Sequence, residues 1–339
     1  MRSPQPYRFT HGRAPALGRR TSEMAKSNGS SDNIIAAIDA GSNGMRLAIG
    51  RVEADGAIRE LESIREPVRL GGDAFSTGQL GDATIDAAVA AFEHFAERIK
   101  EHEATHVRAV ATSAAREASN SRALVARIRK ATGLRLEIID GLEEAQLVFA
   151  GVAGAVDLSD RAALLIDMGG GSVEVTVARN GLALGCETLG LGAVRLLAQM
   201  KELGKSETDV DDMIAPFRGA AAGLVRAEIK EQKPDVCIGT GGNLECLGRL
   251  RGPLLGKEKL GKVKLADLDV MIDKLLAMTP AQRIEKLGLR PDRADVVAIA
   301  AIVLRMVMRD AGVTKTLTPG VGLNQGLLRQ VADRVREPL

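Results

Sequence analysis

The sequence predicts an α/β protein made of two similar halves, and three observations predict it. The stretch Ile34–Val52, IIAAIDAGSNGMRLAIGRV, recurs in outline at Ala163–Asn180, ALLIDMGGGSVEVTVARN. Each copy is an apolar strand, an aspartate, a glycine-rich tight turn and a second, alternating strand. In both halves these hairpin strands are followed by alternating helix and strand signals. At 339 residues and 45% hydrophobic, the chain has the length and apolar content for two domains with separate cores.

In the first half, strand signals fall at Ile35–Asp39, Leu47–Val52 and Ile58–Ile64. Residues 67–72 read as a loop that carries Arg69. A helix runs over Asp82–Lys100, with Ile85, Val89, Phe92 and Ile99 roughly on one face. Val107–Ala111 reads as a buried strand leading into Thr112 and Ser113, which can cap a short helix holding Arg116. The helix Ser121–Thr132, the strand Arg135–Ile139 and a helix beginning near Gly141 complete this half. The second half has hairpin strands within Ala163–Ala178, a strand Leu182–Leu189, helices from Gly192 and Val210, and a strand Val236–Ile238. A glycine-rich loop, Gly239 to Gly242, precedes a helix from Asn243. Further helices fall at Leu265–Ala277, Pro280–Lys286 and Asp292–Ala311, then a strand Lys315–Leu317 and a last helix from Gln325. The hinge is expected within Gly151–Asp160. This divides the chain into residues 1–31, 32–152 and 153–339. The last helix either packs back on the hinge or supports a homodimer.

Residues 1–31 carry Arg2, Arg8, Arg13, Arg19 and Arg20 with Glu23 as the only acid, and are rich in Pro, Ser and Gly. They are expected to form a disordered N-terminal extension, with Met24 an alternative start. The formal charge of +2 provides no global field for nucleic acid or membrane, so a polyanion would have to be met by local arginines. With 2% aromatics and no tryptophan, base-stacking platforms are disfavoured. Cys186, Cys237 and Cys246 form neither a CxxC pair nor an even framework, which points to a reducing cytoplasm. No apolar run has the length of a membrane span.

Aligning Asp39 with Asp167 puts Gly41 on Gly169, Ser42 on Gly170, Asn43 on Gly171, Gly44 on Ser172 and Arg46 on Glu174. Such a turn points successive backbone N–H groups into one concavity, where no Cβ blocks an anion. A single glycine-rich turn is commonly just a hairpin, but two in register with an acid each suggest facing phosphate cradles. Gly241, in the strand-loop-helix turn, offers a third glycine-rich edge, since a helix N-terminus favours an anion. Glu143 and Glu144 open a helix; one can face the cleft and orient a water, the other compensate the helix dipole, and spacing does not choose. Arg116, Arg290 and Arg293 suit phosphate oxygens or ordinary surface pairs equally. His102-Glu103-Ala104-Thr105-His106 matches HExxH, but a strand begins immediately after it, which breaks the helical spacing that zinc chemistry requires.

The ordered set DAGSN, ATSAAR, IIDGLEEAQLVFAGV, IDMGGGSVE, IGTGGN and RPDRADV resembles the exopolyphosphatase and guanosine pentaphosphate phosphohydrolase (Ppx/GppA) family, of the actin, Hsp70 and sugar-kinase superfamily, over nearly Ile34–Leu328. The resemblance implies two ribonuclease-H-like (actin-like ATPase) domains with an interdomain active site, and Mg²⁺- (or Mn²⁺-) dependent hydrolysis of a terminal phosphate. The implied substrates are inorganic polyphosphate or guanosine pentaphosphate; a binding sensor without turnover is the non-enzymatic alternative. By resemblance Glu144 positions water, and Asp167 and Glu174 serve metal and water, with Glu144 completing the metal set. Asp39, Gly41, Ser42, Asn43 and Gly44, with Gly169, Gly170, Gly171 and Ser172, form the phosphate loops, joined by Arg116, Gly241 and Arg293. Three positions depart from the family pattern: Gly44 where Ser or Thr is common, Gly322-Leu323-Asn324-Gln325-Gly326 where GLREG or GLRDG is common, and Ala300 in place of a glycine. The chain resembles a short form without the extra C-terminal helical domains of longer members.

Overall fold

A computed structural model of the chain describes residues 7–8, 33–230, 232–257 and 261–336. The extension expected over residues 1–31 therefore lies outside the described residues, except for a two-residue strand β1, Tyr7–Arg8. The first half supplies β2 (Ile34–Gly41), β3 (Gly44–Val52), β4 (Ile58–Glu66), β5 (His106–Ala111) and β6 (Leu136–Ile138). The second supplies β7 (Ala162–Met168), β8 (Val173–Arg179), β9 (Leu182–Leu189), β10 (Val236–Thr240), β11 (Lys262–Lys264) and β12 (Lys315–Leu317). They form two mixed sheets, in the orders β4-β3-β2-β5-β6 and β1-β9-β8-β7-β10-β12-β11.

The repeat seen in sequence is a repeat of topology. Each half starts with a three-stranded antiparallel meander, and its first strand then pairs in parallel with a later one, β2 with β5 and β7 with β10. Both aspartates stand near the carboxyl end of that central strand, each opposite the aligned residue of its hairpin: Asp39 opposite Arg46, Asp167 opposite Glu174. β2 and β7 are covered on both faces, and both read as apolar runs rather than alternations.

In the first half, the helices Asp82–Glu101 and Ser121–Thr132 bury Ile85, Phe92, Phe95, Leu124 and Ile128 against one sheet face. The opposite face is covered by Leu147 of the helix Gly141–Ala153 and by Leu327, Leu328, Val331 and Ala332 of the last helix, Leu323–Arg336. The apolar stripe of the last helix is thus used within the chain. In the second half the helix Val297–Asp310 is buried along most of its length, consistent with a run of Val, Ala, Ile, Leu and Met that only Arg305 interrupts before Arg309.

Four expectations need correction or refinement. Residues 67–72 are not all loop, because a helix spans Leu70–Thr77. Gly71 and Gly72 suggest a turn, but Gly71 serves close approach: its N–H donates to Ser42 O at 2.9 Å, and a Cβ there would meet that oxygen at 3.0 Å. The helix from Val210 lasts one turn, to Met213; Pro216 and the left-handed Gly219 intervene before Ala220–Ile229. The helix expected over Asp292–Ala311 is two, Pro291–Ala294 and Val297–Asp310, and the Ala294 carbonyl is taken by Arg283 Nη1 at 2.8 Å instead of continuing the ladder. Thr112 and Ser113 make no side-chain cap; Ser113 Oγ bonds Ser42 Oγ at 2.9 Å.

His102 caps the end of the helix Asp82–Glu101, Glu103 turns with φ +54°, and His106 opens β5, so the two histidines do not share a helix. The three cysteines are free and buried, and burial pushes the Cys186 and Cys237 thiols up to about 12. Among the described residues no helix is long and apolar enough to cross a membrane.

Candidate active site

Between the two sheets lies a cavity of about 230 Å³. Gly41, Ser42, Asn43 and Gly44 border it from the β2–β3 turn, and Gly169 and Gly170 from the β7–β8 turn. The turns come so close that side chains would not fit between them. A Cβ on Gly170 would sit 3.0 Å from Ser42 Cβ and 3.2 Å from Asn43 N, and one on Gly171 would run into Ser113 and Phe75. Gly241 and Gly242 form the third edge, where β10 passes into the helix Gly242–Leu255. Gly241 adopts φ +88°, and a Cβ there would lie 2.5 Å from Met168 O, so only glycine suits this turn.

At the floor of the cleft, carboxylate oxygens of Glu144, Asp167 and Glu174 lie within 4.8 Å of one another. Glu144 is placed by the first turn of the helix Gly141–Ala153, which Asp140 caps by accepting from Glu143 N at 2.8 Å. That turn sends the neighbours apart: Glu143 bonds Arg108 at 2.5 Å, half-buried, while Glu144 is 5% exposed and borders the cavity. The ambiguity between the two glutamates is settled in position. Glu174 is 1% exposed, and neither of its oxygens has a partner within normal hydrogen-bond geometry, the Ser172 hydroxyl lying close by.

Burial is the main cause that raises the proton affinity of this group. It pushes Glu174 up to about 8, assisted by the charge of Asp167 and only partly offset by the Ser172 hydroxyl. Glu144 is raised well above the usual carboxylate range by burial and by Glu174, against the pull of Arg116. Asp167 is raised by burial despite the hydrogen bond from Thr240. Asp39 is raised to about 6, again by burial, with Arg46 opposing. Both oxygens of Glu174 are buried without a donor, and together with the nearby carboxylates of Glu144 and Asp167 they have the donor chemistry a hard divalent cation requires.

Positive charge gathers at the same cavity. Arg46, Arg65 and Arg293 all line the cavity. Burial, together with the charges of Arg46 and Arg65, lowers Arg293 to about 10. Arg65 donates to Asn43 O at 2.7 Å and pairs with Asp292 of the other half. Asn43 Nδ2 reaches Asp292 O at 2.9 Å, and Arg69 pairs with Asp295 at 2.6 Å. Arg195 donates to Gly171 O at 2.6 Å and to Glu117 at 2.7 Å, with its guanidinium 4.2 Å from the centre of the Phe75 ring. Ion pairs from Arg65 to Asp292, Arg69 to Asp295 and Arg195 to Glu117 thus tie the two halves together.

The structure brings together at the cavity wall Asp39, Gly41, Ser42, Asn43, Gly44, Glu144, Asp167, Gly169, Gly170, Gly241 and Arg293. Gly171, Ser172 and Glu174 stand behind it: Gly171 is packed on Ser113, and Ser172 and Glu174 are buried. Arg116, expected at phosphate, instead stands behind Glu144, donating to Ile139 O at 2.7 Å and lying 3.4 Å from Glu144 Oε2. Sequence reasoning missed Arg65, Asn243, Glu245 and Asn324 at the wall, and assigned no role to Thr240. Arg65 carried a usable signal only through register, as it lies opposite Arg46 on the adjacent strand.

Two lobes of repeated β-meander topology, with glycine turns, a carboxylate group and arginines meeting in the cleft, define a phosphoryl-handling protein of the actin-like, ribonuclease-H-like class. The chain belongs to the Ppx/GppA phosphatase family, whose model matches residues 49–335. It is 30% identical to exopolyphosphatase 2 of Mycobacterium tuberculosis over 297 residues, 81% of this chain and 90% of that one. The exopolyphosphatase of Cytophaga hutchinsonii superposes with a TM-score of 0.77 at 25% identity, over 88% of this chain and 98% of that one. The Aquifex aeolicus member of the Ppx/GppA family shares the fold, with a TM-score of 0.70 at 19% identity over 90% of this chain and 99% of its own.

Proposed function

We propose that the protein hydrolyses the terminal phosphoanhydride bond of inorganic polyphosphate, releasing orthophosphate, with Mg²⁺ (or Mn²⁺) as its metal. One observation carries the reading: a buried glutamate, Glu144, borders the cleft between two glycine turns and lies beside two further buried acids. Membership of the family, and relatives named as exopolyphosphatases, support the substrate. We take residues 32–152 and 153–339 as the two lobes, with the last helix serving the first.

In this reading the terminal phosphate seats between the turns Gly41–Gly44 and Gly169–Ser172, where backbone N–H groups meet its oxygens. Arg46, Arg65 and Arg293 face the charge of the chain that leaves. Glu144 orients a water and takes its proton as the oxygen attacks phosphorus; burial strengthens it as a base, and the charge of Arg116 opposes that rise only in part. Asp167, Glu174 and Glu144 would hold the cation, which when bound neutralises phosphate charge and the crowding of carboxylates.

Glu144→Gln tests the proposal, because it keeps the shape and removes the base. Phosphate release from long polyphosphate is expected to fall ~10²–10⁴-fold with the far-UV circular dichroism unchanged. Turnover at the wild-type rate in that variant would remove Glu144 from the chemistry. Long polyphosphate, short polyphosphate and guanosine pentaphosphate are compared on the wild-type protein. Release from the nucleotide alone would reassign the substrate, and release from none would favour a sensor.

A further inference from the structure

The two lobes share their strand pattern but differ at the residue beside each acid. In the first sheet Asp39 is in register with Val110 of the parallel neighbour β5. Valine offers no hydrogen, and Asp39 Oδ1 is a buried acceptor without a donor. In the second sheet Asp167 is in register with Thr240 of β10. Thr240 is 0% exposed, and its hydroxyl donates to Asp167 Oδ1 at 2.5 Å.

Three features make this contact specific rather than incidental. Threonine is β-branched, so its χ1 is stiff and its hydroxyl stays where the strand aims it. The chain turns away immediately afterwards at Gly241, whose missing side chain leaves room beside Met168 O and Asp167 Oδ1. Asp167 Oδ2 accepts no hydrogen bond among the described residues, so the carboxylate has one oxygen engaged and one available. Glu174, the neighbour across the hairpin, has no such support on either oxygen. Among the described residues, Asp167 is the acid of this hairpin whose carboxylate a neighbouring hydroxyl holds at hydrogen-bond geometry, whereas the Ser172 hydroxyl near Glu174 does not reach it.

We propose that Thr240 is a positioning residue: its hydroxyl locks the Asp167 carboxylate in the orientation that presents it to Glu144 and Glu174, and so sets the affinity of that group for a divalent cation. The inference rests on the reading of these three carboxylates as a cation site. It extends that reading to a residue that touches neither cation nor substrate. Outer hydrogen bonds of this kind typically change metal affinity ~10–100-fold.

The test uses the full chain and Mn²⁺ alone, without substrate. Mn²⁺ binding is followed by the electron paramagnetic resonance of the free ion and by calorimetry for wild type, Thr240→Val and Thr240→Ser. Thr240→Val, which keeps the shape and loses the proton, is expected to bind Mn²⁺ ~10-fold or more weakly; Thr240→Ser is expected to stay close to wild type. Urea unfolding in EDTA is measured alongside. A residue that merely supports the fold would lower stability in EDTA while the folded protein bound Mn²⁺ as tightly as wild type, and that result overturns the inference. Should Thr240→Val not fold, Thr240→Cys, with a thiol that is a weak donor, takes its place: weaker binding than Thr240→Ser supports the role, and equal binding overturns it. If the wild-type protein binds no Mn²⁺, the cation reading itself falls and takes this inference with it. If wild type binds and Thr240→Val matches it, the role of Thr240 alone falls.

Discussion

The carboxyl of Asp39 should make the metal-free protein less stable as pH rises, and Asp39→Asn should remove that slope. Burial raises its pKa from the ordinary 3.8 to about 6, against the attraction of Arg46. Between those values the folded protein keeps a proton that the unfolded chain has already released. Stability therefore falls with rising pH across this window and levels off above the folded value. At ~1.4 kcal/mol for each pH unit, the contribution of Asp39 amounts to ~3 kcal/mol between about pH 4 and pH 7. Asparagine carries no ionisable proton, so the stability of Asp39→Asn relative to wild type should grow by about that amount over the same interval. Glu174, pushed up to about 8, imposes its own slope on both proteins and cancels in the difference. The chain has no tryptophan, so unfolding in urea with EDTA present is best followed by far-UV circular dichroism. A difference between the two proteins that does not vary with pH would refute the claim that burial governs Asp39.

Two further outcomes follow from the same geometry. Arg283 is 0% exposed and spends its guanidinium on Glu207, Leu275 O and Ala294 O, which anchors the short helix bearing Arg293. Glu207→Gln leaves that charge buried without its counter-ion and should cost ~3 kcal/mol in urea unfolding; a loss under ~1 kcal/mol, as for a surface pair, would contradict it. Gly241→Ala should destabilise by ~1–2 kcal/mol from its left-handed backbone alone, and more from the contact with Met168 O. Gly242→Ala, by contrast, meets only the ends of Arg293 and Arg46, so it should leave stability near wild type and raise KM for polyphosphate. The reverse pattern in melting and kinetics would show that the turn is not built as described.

The legible parts of the fold were those governed by local pattern. β2, β3, β7 and β8 announced themselves because strand, aspartate and turn recur in register, and the topology keeps that register. The helix Leu70–Thr77 was hidden because Gly71 and Gly72 signal turns, whereas Gly71 is a glycine for its approach to Ser42 O. The family motifs located Glu144, and the helical turn explains why Glu143 points elsewhere. Arg116 has the chemistry for phosphate, and its position beside Glu144, outside the cavity wall, depends on how β5 meets the helix Gly141–Ala153. Arg65 looked like one charge in an alternating, half-exposed strand, IRELESIRE. Its pairing with Asp292 joins residues from opposite ends of the chain, and no local pattern encodes such a contact.

The last helix has a consequence for how this protein is made. Leu327, Leu328, Val331 and Ala332 complete a core whose other members include Ile35, Ala37 and Ala48, so β2 is sealed only by a helix distant from it in the sequence. During synthesis one apolar face of the first sheet stays open until Leu323–Arg336 has emerged. Contacts of such sequence separation fold slowly and expose surface to aggregation. A chain cut before Leu323 would accordingly leave the first lobe unsealed along with losing the helix, so the folding of strands made early is coupled to a helix made late.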